Sequence, residues 1–144
     1  MEAFQLGDQS AYFDRGATEG AYALLEAGDA DMCGCIECKN FALQRTTAYP
    51  PDFHALLERL GIDALKEGEA FGYGPEPSGR ILYGGWFYFV GAMQTAGERQ
   101  VKSDKFSYFV GTAFPNPPPP FHDQPVLAIE FMTRLPWVLA EPAE

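Results

Sequence analysis

The sequence predicts one α+β domain in which two helices lie over one face of an antiparallel sheet of three or more strands. Three observations lead there. A chain of 144 residues is the length of a single domain, not of separate cofactor and substrate lobes. Its hydrophobic content of 47% and aromatic content of 15% supply enough apolar surface to build a core unaided. Apolar residues recur with the helical period in the first half and with period two in the second. Such segregation, in place of alternating βαβ units, marks an α+β fold.

Residues 1–30 carry the weakest pattern. Gly16 and Gly20 argue against a helix through the whole stretch, and Tyr22 to Ala27 reads equally as a strand or as a helical turn or two. The first helix is predicted over about 35–46, because Cys35 to Arg45 lacks Gly and Pro, with Ile36, Phe41 and Leu43 as its apolar face and Asp31 or Gly34 opening it. Tyr49-Pro50-Pro51 must end it, since neither proline can donate a helical hydrogen bond. A second helix follows over 51–60, where Phe53, Leu56, Leu57 and Leu60 fall at i, i+3, i+4 and i+7 and Gly61 provides the stop. Residues 62–69 fit no one pattern, and the Gly- and Pro-rich run 71–79 reads as a loop.

The second half reads as β. Residues 81–93 are apolar at both parities, as in a strand covered on both faces. The turn at Thr95 to Glu98 predicts a hairpin about Ala96-Gly97 into a strand over 98–114, where Phe106, Tyr108, Val110, Thr112 and Phe114 alternate with their neighbours. Residues 115–125 form a proline-rich connection, with Pro115 to Pro120 predicted as an extended polyproline spacer. The last strand, 126–135, puts Leu127, Ile129, Phe131 and Leu135 on one side. Glu130, Met132 and Arg134 share the wetter side, where Glu130 and Arg134 are expected to pair.

Ten basic against twenty acidic residues give a net charge of −10, the wrong sign for a protein that binds by neutralising phosphates, so nucleic acid is not an expected partner. The excess concentrates in residues 1–37, where eight acids face Arg15 alone; this acidic front reads as a solvated surface. The stretch from Ile81 to Gly97 is uncharged but holds four glycines and Gln94, and it falls short of the ~20 apolar residues a spanning helix needs. No membrane is expected as a partner. The N-terminus has neither a basic nor an apolar leader region, which predicts a cytoplasmic protein.

Cys33-Gly34-Cys35-Ile36-Glu37-Cys38 is the one constellation with chemical content. Three cysteines within six residues do not make a secreted disulfide framework. Three readings stand. Cys35 and Cys38 have the spacing to share one tetrahedral ion such as zinc, with Cys33 as a third ligand and the fourth drawn from His54, His122 or the carboxylates of Asp29, Asp31 and Glu37. Among these, His54 is the fourth ligand of choice. The same spacing at a helix start can form a redox pair, with the helix end favouring a thiolate at Cys35 and Cys38 resolving a mixed disulfide. Reduced thiols that only pack are the third reading.

His54 lies four residues before Glu58 and is expected to pair with it; His122 is expected in a loop. No phosphate loop, nucleophile elbow or zincin helix is present in the sequence. The aromatic run Tyr83, Trp86, Phe87, Tyr88 and Phe89 suits either core packing or the lining of a small apolar site. Without a nucleophile–base pair or cofactor motif, the chain reads as a binding or structural domain, with a small molecule or another protein as partner, rather than as an enzyme.

Cys-Gly-Cys-x-x-Cys-x-Asn-Phe at 33–41, Tyr49-Pro50, Leu60-Gly61-Ile62-Asp63 with Lys66 and Glu69, and Tyr83-x-Gly85-Trp86-Phe87-x-Phe89-Val90-Gly91 together resemble a family of uncharacterised small bacterial proteins, a domain of unknown function. The resemblance covers roughly residues 33–91. It implies a bacterial, cytosolic, stand-alone domain and brings no catalytic residues with it.

Overall fold

Seven strands in one sheet form the body of the molecule, and every pairing among the described residues is antiparallel. The structure, a computed structural model, describes residues 1–112 and 116–143. The α+β class read from the sequence is the observed one, although the described residues form five short α-helices where two were expected.

The chain opens with a hairpin, β1 (Glu2–Leu6) and β2 (Gln9–Phe13), turning at Gly7-Asp8 with Gly7 at φ 62°. Helix α1 (Arg15–Ala23) follows, capped by Asp14, whose carboxylate accepts from the Ala17 N–H at 3.0 Å. It covers only part of residues 1–30 and contains both Gly16 and Gly20, which argued against a helix through the whole of that stretch. Tertiary contacts outweigh their low propensity: Tyr22 donates its buried hydroxyl to the Tyr88 carbonyl at 2.7 Å, and the Val90 N–H donates to the Thr18 hydroxyl at 3.0 Å.

The single helix expected over 35–46 is two, α3 (Ile36–Ala42) and α4 (Arg45–Ala48), and a further short helix, α2 (Asp29–Cys33), precedes them. Leu43, expected in the core, is 68% exposed, and the buried face of α3 is Cys38, Asn40 and Phe41. Gln44 leaves the helical conformation, at φ −112° and ψ 7°, and donates its side-chain amide to the carbonyls of Asn40 and Pro136, which separates α3 from α4. Helix α5 (Pro51–Leu60) has the expected bounds, begins with Pro51 and stops at Gly61, φ 84°.

The run read as a loop is strand β3 (Glu69–Pro75). It pairs with the first part of β4 (Ile81–Thr95), from Glu69↔Trp86 to Gly72↔Tyr83, and its register breaks before Pro75, where a proline is tolerated in an edge strand. Gly85 is required there: a Cβ would run into the Glu69 carbonyl and lie 2.7 Å from the Phe131 ring.

The region 98–114 is two strands, β5 (Gln100–Ser103) and β6 (Phe106–Gly111); Phe114, Ala113 and Pro115 lie outside the described residues. The expected hairpin about Ala96-Gly97 does not form. Strand β7 (Val126–Leu135) sits between β4 and β6 in the order β1-β2-β4-β7-β6-β5, and its pairing with β4 runs unbroken from Ile81↔Leu135 to Val90↔Val126. Pro118 is extended, but Pro119–Phe121 is a 3-10 turn, so the polyproline spacer is shorter than expected. Glu130 and Arg134 do not pair with each other, being about 13 Å apart along a strand. Glu130 meets Arg99 at 2.6 Å and Arg134 meets Glu76 at 2.7 Å.

The core between helices and sheet is aromatic. Tyr49 packs on Phe131 at 5.1 Å and Phe53 at 5.3 Å, and Phe53 packs edge-on to Phe106 at 4.9 Å and Tyr108 at 5.1 Å. Phe87 and Phe89 are fully buried, so the aromatic run of β4 serves packing at those positions. No helix among the described residues is long and apolar enough to cross a membrane.

Candidate metal centre

The three cysteines sit at the corner between α2 and α3. Cys33 is the last residue of α2, Gly34 turns the chain in the left-handed conformation at φ 79°, and Cys35 is the extended N-cap of α3. Nothing lies within 4 Å of where a Gly34 Cβ would stand, so glycine is needed for its backbone alone. The Cys35 sulfur accepts the Cys38 N–H at 3.3 Å, as a serine oxygen would at the same position. This geometry brings all three Sγ atoms within 4.8 Å of one another.

Cys33 and Cys35 are exposed, Cys38 is buried, and all three are free thiols. The Cys35 N–H and the two neighbouring sulfurs hold the Cys33 thiol below its ordinary range. Burial pushes the Cys38 thiol up, and hydrogen bonding to Cys35 and Cys33 adds to the rise. The set therefore combines an exposed Cys33 thiol that ionises more easily than usual with a buried Cys38 thiol that ionises less easily, whose proton a bound cation would displace. Four-coordinate zinc with Zn–S bonds of ~2.3 Å needs sulfurs about 3.8 Å apart, so the three can close on one ion with shifts of an ångström or less.

Two separate sets of buried polar contacts hold the two arms of the corner. Helix α3 is fixed by Asn40, which is fully buried. Its amide donates to the Tyr83 hydroxyl and the Pro136 carbonyl, both at 3.1 Å, and its oxygen accepts the Val138 N–H at 2.9 Å. Tyr83 in turn donates to the Glu37 carbonyl at 2.8 Å. Helix α2 is fixed from the other side. Glu67 accepts the Ala30 N–H at 3.2 Å and pairs with Arg45 at 2.6 Å, while Arg45 reaches Asp31 at 2.8 Å. Arg45 holds the Asp31 carboxyl below the usual carboxylate range; burial pushes Glu67 up, against the opposing pull of Arg45.

Of the four predicted ligands, Cys33, Cys35 and Cys38 come together and His54 does not join them. His54 stands on α5 with Nε2 3.3 Å from the Thr46 carbonyl and its ring edge-on to Tyr49 at 5.5 Å, and it makes no ion pair with Glu58. His122 Nε2 lies 3.0 Å from the Pro117 carbonyl. Two of the nearby carboxylates are committed elsewhere: Asp31 to Arg45, and Asp29 to the Ala70 N–H at 3.1 Å. Glu37 lies over Gly72, where a Cβ would be 3.0 Å from its carboxylate. Sequence reasoning missed Arg45, Glu67 and Asn40, whose side-chain partners are 14 to 98 residues away along the chain. No family model, curated protein or solved structure matches this chain.

Proposed function

We propose that this chain is a small cytosolic bacterial binding or structural domain built around a metal–thiolate centre, in which Cys33, Cys35 and Cys38 hold one zinc ion. The observation that carries the reading is the convergence of three free sulfurs within 4.8 Å on a corner whose two arms are each anchored by buried polar groups. Thiolate donors suit zinc among the common ions. Three sulfurs leave one coordination position, which water or a partner's donor fills, and loading displaces the proton from buried Cys38. A binding or structural role accords with a site whose three converging groups are metal ligands.

A second reading has one observation in its favour: exposed Cys35 stands one helical turn from buried Cys38 with their sulfurs within 4.8 Å. That pair can exchange with a disulfide substrate, which leaves as two thiols while Cys35 and Cys38 become joined. Metal analysis of untagged protein, with a thiol count before and after chelation, separates the two. Stoichiometric zinc with three thiols that react only after chelation supports the metal centre. Metal-free protein whose Cys35 and Cys38 cycle reversibly supports the redox reading. Metal-free protein with inert thiols overturns both.

A further inference from the structure

We infer that Arg45 and Glu67 are positioning residues for Cys33: they fix α2 so that its sulfur completes the three-sulfur site, a role that rests on the metal reading above. Cys33 belongs to a different arm from Cys35 and Cys38, and the only covalent link between the arms is the left-handed Gly34. A helix of five residues has no stability of its own in water, so contacts beyond it decide where it lies.

Those contacts converge on one ion pair. The Glu67 side chain is fully buried, and that of Arg45 is 7% exposed. Arg45 grips Glu67 through two nitrogens, at 2.6 and 3.2 Å, and extends a third to Asp31 at 2.8 Å. Glu67 passes the constraint to the start of α2: its carboxylate accepts the Ala30 N–H, and its backbone carbonyl accepts the Asp29 N–H at 3.0 Å. Gly28 makes room, since a Cβ there would strike the Glu67 carboxylate and lie 2.8 Å from the Arg45 guanidinium. Among the described residues, Arg45 is the one side chain that ties Asp31, inside α2, to Glu67, outside it. No member of the network belongs to the sulfur cluster; Arg45 also lies over the Phe41 ring of α3 at 5.9 Å, and an effect carried by α3 would persist in a protein without Cys33.

A buried ion pair is a weak source of stability, because apolar residues of similar volume often replace it without loss. A shape-matched apolar replacement therefore separates positioning from folding. The double variant Arg45→Met/Glu67→Leu is compared with wild type and Cys33→Ser for cobalt(II) affinity and for the sulfur-to-cobalt charge-transfer band, with thermal unfolding of the metal-free proteins alongside. Removing an outer-shell partner typically weakens metal binding about 10–100-fold, and losing one sulfur of three should cut the band by about one third. The decisive arm is the triple variant. If the pair acts through Cys33, adding Arg45→Met/Glu67→Leu to Cys33→Ser costs no further affinity. Arg45→Lys, which keeps the charge but not the fork, should fall between wild type and the double variant, and it carries the same readouts if the double variant does not fold. Wild-type affinity and band in the double variant, or losses that add in the triple variant, overturn the inference while leaving the metal reading intact. A wild-type protein that takes up neither cobalt nor zinc overturns both.

Discussion

Replacing Asn40 with alanine removes the anchor of the arm that carries Cys35 and Cys38. Asn40 is fully buried and makes three hydrogen bonds, to the Tyr83 hydroxyl, the Pro136 carbonyl and the Val138 N–H, all between 2.9 and 3.1 Å. At about 1 kcal/mol net for each bond, the loss is about 3 kcal/mol. Tyr83 keeps its bond to the Glu37 carbonyl, and the half-exposed Val138 can turn its N–H to water, so no large orphan penalty is added. Against a total of about 5–15 kcal/mol for a domain of this size, such a loss is severe. The assay is urea unfolding of the metal-free protein in chelator, so that bound metal does not contribute. The expected result is an unfolding free energy lowered by that amount, seen as a lower midpoint with an unchanged denaturant slope, and a melting temperature lower by about 6–12 °C. Leu43→Ala, on the exposed side of the same region, should change stability by no more than about 0.5 kcal/mol. A loss below about 1 kcal/mol in Asn40→Ala would show that α3 is held by packing alone and refute the anchoring argument.

Gly34→Ala meets no neighbour, so its cost is conformational, about 1–2 kcal/mol in urea unfolding, and its metal affinity falls with it. Tyr49→Phe should hold or raise stability, by up to about 1 kcal/mol, because the buried Tyr49 hydroxyl has no hydrogen-bond partner among the described residues. The folded-state pKa of Asp31 is depressed by Arg45, so its contribution is present above the ordinary carboxylate range and is lost as pH falls through the lowered value. Wild type should accordingly exceed Asp31→Asn in stability at pH 7, and the gap should close on titration below about pH 4.

Where the local signal and the tertiary demand coincide, the elements stand where the sequence puts them. Strand β7 alternates cleanly because one face is core and the other is wetter, and α5 is bracketed by Pro51 and Gly61, which act through backbone geometry alone. The N-terminal hairpin was not legible in the weak pattern of residues 1–30, although its turn at Gly7-Asp8 lies between Phe4, Leu6 and Ala11, Phe13, all of which are buried. Neither was helix α1, because two glycines hide it until Tyr22 and Thr18 find β4. Strand β3 is likewise masked by its Gly and Pro content and exists through its pairing with β4. The neighbour of β4 could not be read from proximity along the chain, since β7, some forty residues on, fills the place expected for the adjacent strand. At the site the sulfurs announced themselves by spacing, whereas the groups that aim them did not. Arg45 and Asn40 look like ordinary helix residues until Glu67, Tyr83, Pro136 and Val138 are brought to them.

The central claim is that three sulfurs of this chain bind one ion, and X-ray absorption at the zinc edge of the zinc-loaded protein tests it most directly. The account predicts three sulfur neighbours at ~2.3 Å and one lighter nitrogen or oxygen neighbour, with one sulfur lost in Cys33→Ser. Zinc surrounded by oxygen and nitrogen alone, or by the same number of sulfurs with and without Cys33, would contradict it.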